Sequence, residues 1–283
     1  MSAAIQPAHT GETCGNPDVC AAADTTKTAP TTPVTTDTIE VQLSHRTIRS
    51  FTDEPVTNNE VESLLTVAGQ APTWAFYQQR TIIHIKDPHI RNTIATVANQ
   101  AYVGGDHGEL FVFVADLYRN QQIRREKGAD DEWLHTMSAL MTAIYDTTLA
   151  AQNMVVAAES MGLGTVYLGS IGREPRTVID LLHLPKMTYP VFGLLVGHPD
   201  EEPQFKPRLP LGVCTSVDRY PEVDSYAQVL VDYDEAVHTY YDLRNRNRRV
   251  DEFTTQIATK LGLGGADVTD VLAVLREQGL AQR

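Results

Sequence analysis

Cysteine is scarce in this chain, which has three cysteines among 283 residues. Cys14 and Cys20 are too far apart for a CxxC redox or zinc motif, and Cys214 is distant from both. An odd number of cysteines without framework spacing disfavours a disulfide-stabilised secreted domain. The cysteine content therefore predicts a reducing compartment, the cytoplasm.

Long apolar runs are missing as well. No stretch approaches the roughly 20 apolar residues that span a bilayer. The N-terminus has neither the basic start nor the apolar segment of a secretory signal. We therefore expect no membrane partner.

Positive charge is also limited, since 23 Lys and Arg residues face 36 Asp and Glu residues and give a formal net charge of -13. Nucleic acids and anionic membrane surfaces repel such a chain at long range, which disfavours both as partners. Against this acidic background, local clusters of basic residues are informative. They occur at residues 45–49, 206–208 and 244–249.

The common catalytic motifs are absent from the sequence. It contains no GxxxxGK[ST], HExxH, GxSxG or CxxC motif. Gly162-x-Gly164 follows a helical pattern instead of a strand, so a Rossmann fingerprint is unsupported. His84 alternates with isoleucines and fits the edge of a core better than a metal site. Nothing predicts a nucleophile or a metal ion.

The remaining sequence divides into a polar extension and one folded region. Residues 1–36 are rich in Ala, Thr and Pro and lack periodicity, which predicts a disordered N-terminal extension. The pattern Thr57-x-x-Glu60 is a capping box that predicts the start of a helix. Apolar runs and alternation predict strands over 81–86, 110–115, 165–168, 189–197 and, as an edge or exchanged strand, 213–217.

Helical periodicity dominates the rest of the chain. Residues 131–161 contain no Gly or Pro and are apolar on more than one side, which predicts one long helix placed both in the core and at a subunit interface. Further helices are expected near 175–182, 223–243, 251–261 and 267–278.

The basic stretch Ser44–Phe51 is the strongest candidate for a binding site. Arg46 and Arg49 are three residues apart, so on a helical turn they would point the same way. Guanidinium groups beside hydroxyls suit a phosphate or an electron-rich ring edge, although an ordinary solvated basic turn is the alternative. The proline-flanked loop at 206–208 suits a fixed anion site. The run at 244–249 suits either a solvated helix end or a phosphate-bearing cofactor.

Five segments, in the same order along the chain, resemble the nitroreductase superfamily. They are residues 44–56, 157–169, 190–199, 206–210 and 240–249. The chain is most similar to its oxygen-insensitive NADPH nitroreductase and flavin reductase branch, over roughly residues 38–283. The resemblance implies one domain over residues 37–283 with an α+β fold, in which helices flank a mixed, largely antiparallel sheet. It also implies an interwoven homodimer with FMN at the interface and NADPH as co-substrate.

The resemblance further implies which residues contact FMN. The phosphate end would meet His45, Arg46 and Thr47, and the ring edge would meet Arg49. Ile48, between Thr47 and Arg49, would also contact the cofactor. The ring or ribityl chain would meet Thr73, Gln78 and Gln100. The loop Tyr167, Leu168, Gly169 and Ser170 would follow the flavin, and Lys206, Pro207 and Arg208 would complete the phosphate site. For NADPH, the candidates are Arg173, Arg244 and Arg248.

The implied reaction is ping-pong transfer of two electrons from NADPH to nitroaromatics, quinones or free flavin. It requires no acid or base from a side chain, which fits the absence of a catalytic motif. Two alternatives remain open: a flavin-dependent dehalogenase or desaturase with a dedicated substrate, and a non-enzymatic flavin-binding protein.

Overall fold

A computed structural model describes residues 34–245, 252–260 and 270–283, with the backbone alone at residues 241–245 and 260. The disorder expected for residues 1–36 stays a prediction, because residues 1–33 lie outside the described part. Asp37–Arg283 form one structural unit.

The centre of this unit is a four-stranded sheet of β1 (Arg80–Ile85), β2 (Glu109–Asp116), β3 (Gly164–Leu168) and β4 (Thr188–Gly197). The strand order is β1–β2–β4–β3, and each neighbouring pair is antiparallel. A parallel bridge outside these pairs joins Thr47 to Thr165. The predicted α+β fold with a largely antiparallel sheet flanked by helices is confirmed.

Helices cover the sheet on both sides, and none of those described is long and apolar enough to cross a membrane. The helices of the first half are α1 (Asp37–Leu43), α2 (Asn58–Gly69), α3 (Pro88–Ala98), α4 (Tyr118–Glu126) and α5 (Met137–Ser160). Those of the second half are α6 (Pro175–Leu181), α7 (Leu211–Cys214), α8 (Tyr226–Val229), α9 (Val231–Asn245), α10 (Phe253–Lys260) and α11 (Val271–Glu277). The capping box at Thr57 and Glu60 starts α2 as predicted.

Strand β2 is buried on both faces because helices lie on each side. Its even-numbered apolar residues pack with Ile94 of α3 and Val178 of α6. Phe111 and Phe113 point the other way and pack with residues of α2 and α5 such as Met154. This two-sided cover explains why the strand reads as a continuous apolar run instead of an alternating one.

The long helix begins later than predicted. Residues Glu132–His135 form a 3-10 helix, and Thr136 is extended. The Thr136 side chain accepts a hydrogen bond from the backbone N–H of Ala139 at 3.2 Å, so it caps the N-terminus of α5. The prediction of one helix from residue 131 is wrong because this cap separates the two segments.

The strand predicted at 213–217 is also wrong. Pro210 has φ of -56° and leads into the short helix α7 (Leu211–Cys214), since the proline ring favours the start of a helical turn. The helix predicted near 223–243 is divided at Leu230 into α8 and α9.

The basic stretch lies against the start of β3 through one close contact. A Cβ atom added at Gly164 would come within 2.6 Å of Cγ1 and 2.8 Å of Cβ of Ile48. Because glycine has no side chain, buried Ile48 can pack directly on the strand backbone.

We predict that Gly164→Ala destabilises the fold by about 1–3 kcal/mol, because the added methyl group overpacks the contact with Ile48. Urea unfolding measures the change. Gly69→Ala is the control, since no atom lies within 4 Å of a Cβ added at this helical position. The control should be neutral or slightly stabilising. Equal stability of the two variants would contradict the packing role of Gly164.

Candidate functional site

The basic stretch is extended where it passes β3. The backbone N–H of Ile48 donates to the carbonyl of Thr165 at 2.9 Å, next to the bridge between Thr47 and Thr165. Extended backbone alternates its side chains between two sides. The predicted helical turn, with Arg46 and Arg49 pointing the same way, is therefore wrong.

The odd-numbered side chains of this stretch open onto a cavity of about 300 Å³. The lining residues are His45, Thr47, Arg49, Gln100, Tyr102, Thr165, Val166, Tyr167, Gly169 and Ser170. Most of them are residues for which the sequence predicts cofactor binding. The structure thus brings together residues from three separate parts of the chain.

Three local structures aim these residues at the cavity. Strand β3 carries Tyr167, and a 3-10 helix, Gly169–Arg173, begins directly after it. Gln100 follows α3, whose C-cap Asn99 is in the left-handed conformation (φ 51°). Leu168 is buried in the core, so its side chain supports the strand and does not line the cavity.

A carboxylate that sequence reasoning missed fixes His45. Glu159, at the end of α5, lies 2.6 Å from Nδ1 of His45. The hydroxyl of Thr165 donates to the same carboxylate oxygen at 3.0 Å. Glu159 belongs to the helical segment before β3, and nothing in its local sequence indicated this pairing. The contact orients the imidazole at the cavity wall.

Two phenols of the cavity wall stay protonated near neutral pH. Burial raises the pKa of Tyr167 to about 12, and the negative charge of Glu159 adds to the effect. Burial also raises the pKa of Tyr102, although the nearby Arg49 guanidinium opposes this shift. The sequence analysis did not identify Tyr102 as a cavity residue. Its position two residues after Gln100 could have indicated it.

Arg46 and Ile48 face a second cavity, of about 240 Å³, together with Glu159 and Glu201. The Arg46 Nε atom is buried and has no hydrogen-bond partner among the described residues. The Cζ atom of Arg46 lies 3.8 Å from the centre of the Phe205 ring. Phe205 directly precedes Lys206 in the sequence. This contact places the start of the 206–208 loop beside Arg46.

The resemblance implies that residues 206–208 complete the phosphate site, but their side chains do not reach the two cavities of the basic stretch. Lys206, Pro207 and Arg208 are not among the residues that line either cavity. Arg208 instead donates to the carbonyl of Lys206 at 2.8 Å, and the carbonyl of Pro207 accepts from the hydroxyl of Tyr233 at 3.2 Å.

The aromatic loop, residues 73–79, does not line the cavity at Arg49 of its own subunit. Gln78 lines a separate cavity of about 690 Å³ with Trp74, Trp133 and other residues. Thr73 precedes the 3-10 helix Trp74–Phe76. Neither Thr73 nor Gln78 lines the cavity at Arg49 of the same subunit.

The residues predicted for NADPH are only partly described. Arg173 closes the 3-10 helix that follows β3. Arg244 lies at the end of α9, where the backbone alone is described, and Arg248 lies outside the described residues.

Known proteins with similar sequences support one family. The sequence profile of the nitroreductase family matches residues 43–198, and that of the nitroreductase family C-terminal domain matches residues 206–283. An FMN reductase (NADPH) of Bacillus subtilis is 40% identical over 78% of this chain and 90% of its own length. An NADPH-dependent oxidoreductase of Staphylococcus epidermidis is 36% identical over 86% of this chain and 98% of its own.

Solved structures support the same family. NfrA1 nitroreductase from B. subtilis has a TM-score of 0.82 at 37% identity, covering 87% of this chain and 100% of that one. The NADPH:FMN oxidoreductase from Vibrio harveyi, complexed with NAD+, has a TM-score of 0.77 at 32% identity, covering 88% and 100%. The matched profiles, the shared fold and the similar sequences establish that this chain belongs to the nitroreductase family.

Proposed function

We propose that this protein is a cytoplasmic, FMN-dependent NADPH oxidoreductase that acts as a homodimer. Its oxidants are nitroaromatics, quinones or free flavin, reduced by a ping-pong mechanism. The observation that carries the proposal is the cavity at His45, Thr47, Arg49 and Gln100, where donors from distant parts of an acidic chain converge. The names of the family relatives, FMN reductase (NADPH) and NADPH:FMN oxidoreductase, support the same cofactor and co-substrate.

The chemistry of these donors fits FMN. His45 and the hydroxyls of Thr47 and Ser170 suit a phosphate or a ribityl chain, and the Arg49 guanidinium suits the electron-rich edge of the flavin ring. The buried, unpaired Arg46 Nε is a further donor that needs an acceptor. Arg46, Lys206 and Arg208 stay candidates for the phosphate end by resemblance, and the contact of Arg46 with Phe205 places Arg46 beside the start of the 206–208 loop.

A second subunit is needed to complete the site. At about 300 Å³, the cavity is at the lower end of the range for small-molecule sites, roughly 300–1,000 Å³. We assign the remaining cover, including Thr73 and Gln78, to the aromatic loop of the second copy. This arrangement reconciles the predicted flavin contacts with the position of the loop away from its own cavity.

Helix α5 supplies the surface for that dimer. One side is buried against the sheet through residues such as Ala150, Ala151 and Met154. On the other side, an apolar stripe recurs every fourth residue with 38–49% of each residue exposed: Met137, Met141, Tyr145 and Leu149. Apolar positions at this spacing favour packing against another helix.

The residues of the cavity bind and orient, and none is required to transfer a proton. FMN, if bound here, would supply the two-electron redox chemistry between NADPH and the oxidant. Arg49 favours negative charge at the ring edge, and Glu159 keeps His45 in place. We retain Arg244, Arg248 and Arg173 as the candidates for the 2′-phosphate of NADPH.

We predict that Arg49→Gln weakens FMN binding by about 1.5–3 kcal/mol, because a charge-assisted hydrogen bond is lost. Titration of the apoprotein with FMN, followed by flavin fluorescence, measures the dissociation constant. Arg176→Gln is the matched control, since Arg176 pairs with Glu277 on the exposed surface at 2.6 Å. Equal affinity of both variants would argue against the cavity as the flavin site.

We predict that Leu149→Glu converts the dimer to monomers, because a charged side chain would be buried in the apolar stripe. Leu272→Glu is the control, since both leucines lie on helices and have similar exposure, 43% and 41%. Light scattering after gel filtration measures the mass. A Leu149→Glu protein that remains dimeric at micromolar concentration would show that α5 is not the interface.

Stopped-flow mixing with NADPH tests the reaction itself. We expect rapid bleaching of the flavin absorbance, then reoxidation by a quinone or nitroaromatic added second. Slow bleaching with NADPH would favour the dehalogenase or desaturase alternative, and no bleaching would favour a passive flavin-binding protein. Equal rates with NADH and NADPH would refute the assignment of the three arginines.

A further inference from the structure

The aromatic loop has an unfavourable backbone conformation. Ala75, Phe76 and Gln78 have positive φ angles of 47°, 63° and 51°. Residues with a Cβ atom avoid this region because the Cβ crowds the backbone. Three such residues within four positions persist only where the surroundings hold them.

The group that holds them is the carboxylate of Asp146, on helix α5. One of its oxygens accepts a hydrogen bond from the backbone N–H of Trp74 at 2.7 Å. The other accepts from the backbone N–H of Gln79 at 2.8 Å. These donors flank the strained segment, so a single side chain ties its two ends together.

The carboxylate is fully buried, and its neighbours compensate the cost of burying it. Burial lowers the pKa of the Arg80 guanidinium below its usual value, and the nearby negative charge of Asp146 partly opposes this shift. The Thr142 hydroxyl donates to the side-chain oxygen of Gln79 at 2.8 Å, which fixes the end of the loop next to Asp146.

We propose that Asp146 is a positioning residue that holds the aromatic loop in its left-handed conformation and thereby presents Gln78 to the flavin of the second subunit. The claim that the loop reaches the flavin of the second subunit rests on the proposed function. The claim that Asp146 fixes the loop conformation rests only on the two hydrogen bonds and the positive φ angles.

The chain carries its own reporter of this conformation. Trp74 and Trp133 are its two tryptophans. Their rings stack with centroids 5.5 Å apart and planes 16° from parallel. Two indoles this close couple excitonically, and the circular dichroism of that coupling depends on their mutual orientation. It therefore reports the loop conformation even in the protein without FMN.

The test compares Asp146→Asn with Thr147→Val. Asparagine places an N–H group opposite a backbone N–H and loses one of the two bonds. Thr147 is the matched control because it is the next residue of α5, is fully buried, and donates to the carbonyl of Ala143 at 2.7 Å, away from the loop. We expect Asp146→Asn to lose the indole coupling and to bind FMN about ten-fold more weakly. Thr147→Val should retain both properties.

An Asp146→Asn protein with the coupling and FMN affinity of Thr147→Val would overturn the proposal. Wild-type protein that fails to bind FMN would refute the proposed function and the destination of the loop. Loss of coupling in Asp146→Asn would, in that case, still support the hold of Asp146 on the loop.

A second variant covers the case in which Asp146→Asn does not fold. Glycine adopts positive φ without a Cβ penalty, so Ala75→Gly and Phe76→Gly relieve the strain that Asp146 opposes. We expect these two substitutions to restore folding in the Asp146→Asn background. If folding is not restored, Asp146 acts in general core stability and the positioning role is wrong.

Discussion

The candidate site depends on the pairing of the basic stretch with strand β3. The hydrogen bond from Ile48 to Thr165 and the packing of Ile48 on Gly164 fix the backbone between His45 and Arg49. Because that backbone is extended, alternate side chains face opposite sides. His45, Thr47 and Arg49 thus line one cavity, while Ile48 of the same short segment packs in the core.

Two carboxylates stabilise the position of the basic stretch. Glu159 pairs with His45, and Glu201 accepts hydrogen bonds from the backbone N–H groups of Arg49 and Ser50. A carboxylate on a backbone N–H pair holds the chain without neutralising the Arg49 side chain. Acidic side chains of the protein therefore help to position cationic ones.

The sequence predicts the helices and strands better than it predicts the contacts between distant parts of the chain. Apolar runs and the capping box at Thr57 identify β1 to β4 and α2, because burial and local hydrogen bonds leave a pattern in the chain. The direction of Arg46 could not be predicted in this way, because it depends on a bridge to a strand more than 100 residues away. Glu159 and Asp146 were missed for the same reason: their partners are distant in sequence.

Helix α5 links the two parts of the proposed flavin site. Its end carries Glu159, which pairs with His45 of the cavity wall, and its middle carries Asp146 beside the aromatic loop. Its exposed apolar stripe faces the proposed second subunit. A crystal structure of the protein soaked with FMN tests the central claim most directly. The account predicts the phosphate within hydrogen-bond distance of His45 and Thr47, and the flavin ring beside Arg49. FMN bound away from the cavity at Arg49 would contradict it.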